Sequence, residues 1–122
     1  MSKTIMIVDD SASLRQVVAI ALKGAGYNVV EACDGKDALA KLDGTKVNLI
    51  ISDVNMPNMD GITLLKEVRN RPDLRFTPVI MLTTESQESK KQEGRAAGAK
   101  AWVVKPFQPA QMLDAVAKLL PP

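Results

Sequence analysis

Apolar residues recur along the chain in five short runs that are rich in β-branched side chains. The runs lie at residues 5–8, 29–30, 49–51, 79–82 and 102–104. Most of them show no alternation of polar and apolar positions, which is typical of strands buried on both faces of a parallel sheet. The pattern therefore predicts five parallel strands.

The segments between these runs have helical spacing. In the first, Leu14, Val17 and Val18 follow the i, i+3, i+4 pattern, with Asp10 or Ser11 as the predicted N-cap. Similar stripes follow at residues 35–42, at 61–68 and from Pro109 onward, whereas 88–98 offers only alanines as apolar residues and predicts a weak helix. Five β-α units predict an α/β fold, an open doubly wound sheet with five helices on both faces.

The composition narrows the possible chemistry. The chain has 122 residues, which fits one domain, and it contains no His and a single Cys. Catalytic His pairs, His-ligated zinc and a disulfide framework are therefore excluded. A net charge of +2 is too small to indicate nucleic-acid binding. Without a long apolar run or a secretory signal, we expect a cytoplasmic protein that does not enter membranes.

Polar residues follow four of the predicted strands. Asp9 and Asp10 come after the first, Asp53 after the third, Thr83 after the fourth and Lys105 after the fifth. In a doubly wound sheet, the carboxyl ends of the strands form the functional crevice. Each residue alone is better explained as a helix cap, a turn residue or a solvated tip. Together they predict one shared site.

Converging carboxylates repel one another, and a divalent cation relieves the repulsion. An all-oxygen site favours Mg²⁺, with Asp9 or Asp10, Asp53 and the backbone carbonyl of Asn55 as candidate ligands. Asp53, at the tip of an interior strand, is the best-placed nucleophile for a phosphorus atom. Lys105 and the Thr83 hydroxyl would contact the transferred phosphoryl oxygens.

Four motifs in order resemble the receiver domain of two-component response regulators, over essentially the entire chain. They are VDD at 8–10, DVNMPNMDG at 53–61, MLTT at 81–84 and VVKPF at 103–107. The resemblance implies a flavodoxin-like sheet of order 2-1-3-4-5 and a cis peptide before Pro106. It also implies that Asp53 is the phosphoacceptor, that Asp9 and Asp10 hold Mg²⁺, that Thr83 is the switch hydroxyl and that Lys105 contacts the phosphate.

Three further positions are compared with the family pattern. Trp102 stands where the family usually has a Tyr or Phe switch residue, so it is either a switch or a plain anchor on the sheet edge. Asn55 and Glu85 lie two residues beyond Asp53 and Thr83. By the resemblance they tune hydrolysis of the acyl phosphate; otherwise they are exposed loop residues.

The sequence thus predicts a single receiver domain over residues 1–122, without an output domain. We expect a monomer that takes a phosphoryl group from a sensor histidine kinase (CheA-like). Its signal would be a changed affinity for a protein, such as the flagellar motor switch, or it would act as a phosphate sink. The alternatives are a phosphorelay receiver outside chemotaxis, an Mg²⁺-dependent phosphohydrolase with an Asp nucleophile, and, least favoured, a flavin or nucleotide module.

Overall fold

Five parallel strands form one sheet in the computed structural model, which describes residues 3–83, 92 and 95–120. The strands are β1 (Thr4–Val8), β2 (Asn28–Ala32), β3 (Leu49–Asp53), β4 (Val79–Thr83) and β5 (Ala101–Val104). Their order across the sheet is β2-β1-β3-β4-β5, so the predicted fold class is confirmed. The chain order reverses between β1 and β3, which places a crevice above these two neighbouring strands.

Helices cover both faces of the sheet. They are α1 (Ala12–Gly24), α2 (Gly35–Leu42), α3 (Gly61–Asn70) and the last helix (Pro109–Leu119). The predicted fourth helical segment, 88–98, lies mainly outside the described residues, although residues 92 and 95–97 are helical. None of the helices within the described ranges is long and apolar enough to cross a membrane.

Alternate side chains of each strand enter two separate cores. Met6 and Val8 of β1 pack with α2 and α3, whereas Ile5 and Ile7 pack with α1 and the last helix. All four side chains are fully buried. Burial on both faces explains why β1, β3 and β4 appear in the sequence as unbroken apolar runs.

The helix boundaries follow from local capping chemistry. The Ser11 hydroxyl accepts a hydrogen bond from the Leu14 N–H and begins α1, which ends at Gly24. Asp34 and Asp60 cap α2 and α3 in the same way, through the N–H groups of Asp37 and Thr63. All three caps lie at the carboxyl edge of the sheet, so each of these helices begins beside the crevice.

Candidate functional site

Three carboxylates meet at the carboxyl edge of the sheet. Asp9 and Asp10 follow β1, and Asp53 ends β3, which pairs directly with β1. One oxygen from each of the three carboxylates lies within 4.8 Å of the other two. Asp9 is fully buried and Asp53 nearly so, whereas Asp10 is exposed. The cluster therefore has a buried floor and an open side.

Lys105 brings a positive charge to this cluster from the edge strand. Its Nζ lies 3.1 Å from Asp9 Oδ2 and 3.2 Å from Asp53 Oδ2. The backbone N–H of Lys105 donates to the Thr83 carbonyl at 2.7 Å, which fixes the lysine relative to β4. The Lys105–Pro106 peptide bond is cis, as the family resemblance implies. One ammonium group thus bridges two of the three carboxylates.

The environment of Asp53 works against its negative charge. Burial raises the pKa of Asp53 and the neighbouring Asp9 carboxylate raises it further, whereas the Lys105 ammonium acts in the opposite direction. Two like charges about 4 Å apart repel by about 4 kcal/mol in a surface-like dielectric. Within the described part of the chain, the Lys105 charge does not balance the three carboxylates, so a further cation would be bound favourably here.

Several groups hold Asp9 in place. Its Oδ1 accepts from the Ser11 N–H at 2.8 Å, and its own N–H donates to the Ala32 carbonyl. Arg15 of α1 donates to the Asp9 carbonyl and pairs with Glu31 of β2. Sequence reasoning missed Arg15, although its place one turn inside the helix that follows the two aspartates was a usable signal.

The other predicted site residues have different surroundings. Thr83 is buried at the end of β4, one position beyond the residue that pairs with Asp53. Trp102 of β5 is half-buried against the core that includes α3, and its buried Nε1 has no hydrogen-bond partner among the described residues. Asn55 is exposed in the loop between β3 and α3. Glu85 lies outside the described residues.

The start of α3 passes very close to Asp53. A Cβ atom added to Gly61 would lie 2.0 Å from the Asp53 carbonyl oxygen, so only glycine fits at this position. The Gly61 N–H donates to the Val54 carbonyl at 2.9 Å and closes the base of the β3–α3 loop. This loop, residues 55–60, therefore has a fixed stem beside the carboxylate cluster.

The donor set suits a hard divalent cation. Asp9, Asp10 and Asp53 offer three carboxylate oxygens and no sulfur or imidazole, which favours Mg²⁺ over zinc. The exposed side of the cluster, at Asp10, would leave room for water and phosphate oxygens, which Mg²⁺ usually retains as ligands. The residues present therefore fit Mg²⁺.

The geometry is that of a doubly wound α/β sheet with three carboxylates at its carboxyl edge and a lysine that bridges two of them. The family model for the response regulator receiver domain matches residues 5–117 of this chain. Protein PilG of Pseudomonas aeruginosa is 36% identical over 117 residues, covering 96% of this chain and 87% of that protein. Chemotaxis protein CheY-3 of Vibrio cholerae is 37% identical over 116 residues, with 94% and 89% covered.

A solved structure agrees with this assignment. The chemotaxis protein CheY4 of Vibrio cholerae is 48% identical, with a TM-score of 0.93 over 98% of this chain and 100% of that chain. This chain belongs to the family of response regulator receiver domains. Receiver domains of this kind are signalling proteins of two-component systems rather than classical turnover enzymes.

Proposed function

We propose that this protein accepts a phosphoryl group on Asp53 and signals by changing its affinity for a protein partner. The observation that carries the proposal is the cluster of Asp9, Asp10 and Asp53 carboxylates joined by the Lys105 ammonium. In the reaction, a carboxylate oxygen of Asp53 forms a bond to phosphorus. The bond between phosphorus and the donor nitrogen breaks, and its electron pair stays with the donor imidazole.

Each neighbour of Asp53 has a proposed part in this step. The Lys105 ammonium, 3.2 Å from Asp53 Oδ2, is placed to neutralise charge on the transferred phosphoryl oxygens. Asp9, Asp10, Asp53 and the backbone carbonyl of Asn55 would hold Mg²⁺. When bound, the ion screens the carboxylates from one another and from the incoming phosphate.

The signal would arise from the residues around the new phosphoryl group. The Thr83 hydroxyl is proposed to bond to a phosphoryl oxygen and so to draw the end of β4 toward Asp53. Trp102, the second residue of β5, is proposed to change its packing in response. Asn55 and Glu85 are proposed to tune hydrolysis of the acyl phosphate.

A phosphohistidine donor must lie outside these 122 residues, because they contain no histidine. We propose a sensor histidine kinase as the donor. The similarity to PilG and to two chemotaxis proteins supports a chemotaxis-type pathway, with the flagellar motor switch as one target class and a phosphate-sink role as another.

The test is phosphorylation by a small donor. We expect a labile mass gain of one phosphoryl group with acetyl phosphate and Mg²⁺, and none in Asp53→Asn. Asp60→Asn is the matched control, because it makes the same change in the loop that follows Asp53 and an Asn caps α3 as well as Asp does. This control should be labelled like the parent.

Two results would contradict the proposal. Labelling of Asp53→Asn at the rate of the parent would remove Asp53 as the acceptor. Continuous turnover of a phosphate ester such as p-nitrophenyl phosphate would favour the phosphohydrolase instead. Onward transfer of the label to a histidine phosphotransfer protein would identify an intermediate phosphorelay receiver, with the same chemistry at Asp53.

A further inference from the structure

The β3–α3 loop is tied at its tip to a neighbouring turn. Asn58 Nδ2 donates to Asp34 Oδ2 at 2.7 Å, and the Gly35 N–H donates to the Met59 carbonyl at 3.3 Å. Asp34 lies in the turn between β2 and α2, and Gly35 is the first residue of α2; neither residue belongs to the carboxylate cluster. The loop that follows Asp53 is thus held from outside the site.

The Asp34 side chain is well suited to anchor this loop. It is buried, and its Oδ1 accepts from the Asp37 N–H at 2.8 Å while Oδ2 accepts from Asn58. These two hydrogen bonds lower the pKa of Asp34, so it remains ionised at neutral pH. Helix α2 behind it is fixed by the buried side chains of Ala38 and Leu42.

Gly35 and Met59 lie so close together that position 35 has no room for a larger side chain. A Cβ on Gly35 would lie 2.7 to 2.9 Å from atoms of Met59, including its carbonyl oxygen, so a larger residue would push the loop away. Asn58 has φ of 68°, a left-handed conformation that Asn tolerates better than most residues. The sequence is therefore locally compatible with the tied geometry.

Asn55 lies between two fixed points. On one side, Val54 is fully buried and its N–H donates to the Leu82 carbonyl at 3.1 Å. On the other side, Asn58 is bonded to Asp34. A short segment fixed at both ends has few conformations, so little entropy remains to be lost when its carbonyl becomes a ligand.

We propose that Asp34 and Asn58 form a clamp that pre-positions the β3–α3 loop for Mg²⁺ binding at the Asn55 carbonyl. This inference rests on the proposed function, because it assumes that the Asn55 carbonyl is a ligand. Both are positioning residues, since they act through the loop and touch neither the ion nor the phosphoryl group. Removing the clamp weakens Mg²⁺ binding while the maximal phosphorylation rate at saturating Mg²⁺ is retained.

Two variants remove the hydrogen bond between Asn58 and Asp34. Asn58→Gly keeps the charge of the protein and tolerates the left-handed φ. Asp34→Ser keeps an oxygen that caps α2 but is too short to reach Asn58. The double variant Asp34→Asn with Asn58→Asp reverses donor and acceptor, keeps the net charge and serves as the rescue.

The experiment is calorimetric titration with MgCl₂ alone, followed by acetyl phosphate labelling across a range of Mg²⁺ concentrations. We expect the Mg²⁺ Kd to rise about 3- to 10-fold in Asn58→Gly and Asp34→Ser, the range for a lost outer hydrogen bond. The double variant should return to within about 2-fold of the parent. Labelling rates of all variants should converge at high Mg²⁺.

The outcomes separate the clamp from the proposed function. If the parent binds Mg²⁺ and is labelled, but both single variants bind Mg²⁺ equally well, the clamp is wrong and the phosphoacceptor role stands. Weaker binding that the double variant fails to restore also overturns the clamp, because the hydrogen bond is then not the cause. A parent that neither binds Mg²⁺ nor takes the label overturns both.

Discussion

At the carboxyl end of the sheet, carboxylate oxygens of Asp9, Asp10 and Asp53 lie within 4.8 Å of one another. Lys105 forms ion pairs with two of these carboxylates, those of Asp9 and Asp53. At the amino end, the Arg69 guanidinium donates to the carbonyls of Thr77 at 2.7 Å, Gly98 at 3.0 Å and Leu74 at 3.5 Å. The carboxyl end brings together carboxylates that repel one another, whereas the amino end pairs the N–H donors of Arg69 with carbonyl acceptors. Repulsion between like charges is expected where a ligand completes the site, because the bound ligand supplies the missing favourable interaction.

Glycine substitution at the two ends should give the largest contrast. At the site end, Gly61→Ala would bring a Cβ to within 2.0 Å of the Asp53 backbone, which cannot move aside as a flexible side chain can. We expect a loss of about 3 kcal/mol in the free energy of unfolding. Urea denaturation with Mg²⁺ absent measures this loss.

Gly24→Ala is the matched control at the amino end. Gly24 closes α1 and has no atom within 4 Å of an added Cβ. Alanine should therefore stabilise the protein by roughly 0.5 kcal/mol through its better helix propensity. Equal effects of the two substitutions would show that the close approach of α3 to Asp53 does not matter.

Arginine substitution tests the paired end. Arg69→Ala removes the side-chain donor from the Thr77 and Gly98 carbonyls, whereas the Leu74 carbonyl still accepts from the Thr77 N–H, and we expect a cost of about 2 kcal/mol of unfolding free energy. Arg71→Ala is the control, because Arg71 forms a surface ion pair with Asp43 and should contribute less than about 1 kcal/mol. Chemical denaturation of both variants gives the difference. A cost for Arg69→Ala no larger than that for Arg71→Ala would contradict the structural role.

Arg69 also illustrates what the sequence could not reveal. The five apolar runs predicted all five strands within two residues, and the signal was clearest for β1, β3 and β4, which are buried on both faces. The Asp9, Asp10, Asp53 and Lys105 positions were predictable because the carboxyl ends of parallel strands meet at one edge. Arg69 reaches the Gly98 carbonyl, 29 positions away, and no periodicity encodes such a contact.

The same limit applies to the hydrogen bond between Asp34 and Asn58. Each residue is explained locally, Asp34 as a helix cap and Asn58 as a loop residue with positive φ. Their pairing across 24 positions depends on how two loops of different β-α units pack. Local signals thus predict where functional side chains lie, whereas the contacts that hold them in place depend on the complete fold.

Charge removal at the site end should have an intermediate effect that changes sign with Mg²⁺. Asp10→Asn removes one repelling charge, so without Mg²⁺ the variant should gain about 1 kcal/mol of unfolding free energy. With Mg²⁺ present, the parent should gain stability by binding the ion and overtake the variant. Thermal denaturation with and without Mg²⁺ measures the crossover.

Asp73→Asn is the control for this crossover. Asp73 is an exposed carboxylate in the loop between α3 and β4, away from the cluster. Its replacement should change stability by less than about 0.5 kcal/mol with or without Mg²⁺. If Asp10→Asn behaves in the same way, the repulsion among the three carboxylates is too weak to matter.

The smallest expected effect concerns Asp37, a carboxylate that lies at the same end of the sheet as the cluster but does not belong to it. Asp37, in the first turn of α2, accepts a hydrogen bond from the Cys33 N–H at 3.0 Å and pairs with Lys41 at 3.3 Å. The Cys33 hydrogen bond is the main cause of a lowered pKa at Asp37, whereas burial raises the pKa of Asp53 in the cluster. Asp37 therefore stabilises the fold above its ordinary pKa of 3.8, and this contribution is lost as the pH falls through its lower value in the folded protein.

Acid denaturation of Asp37→Asn should accordingly be less steep than that of the parent below about pH 4, since the amide cannot be protonated in this range. Lys41→Ala should keep part of the pH dependence of the parent, because the hydrogen bond from the Cys33 N–H is the largest single cause that lowers the pKa of Asp37. Urea midpoints measured at several pH values give both slopes. If Lys41→Ala flattens the profile as much as Asp37→Asn does, the ion pair rather than the backbone N–H stabilises this carboxylate. The difference between Asp37 and the repelling carboxylates of the cluster would then be due to the charges of neighbouring side chains alone.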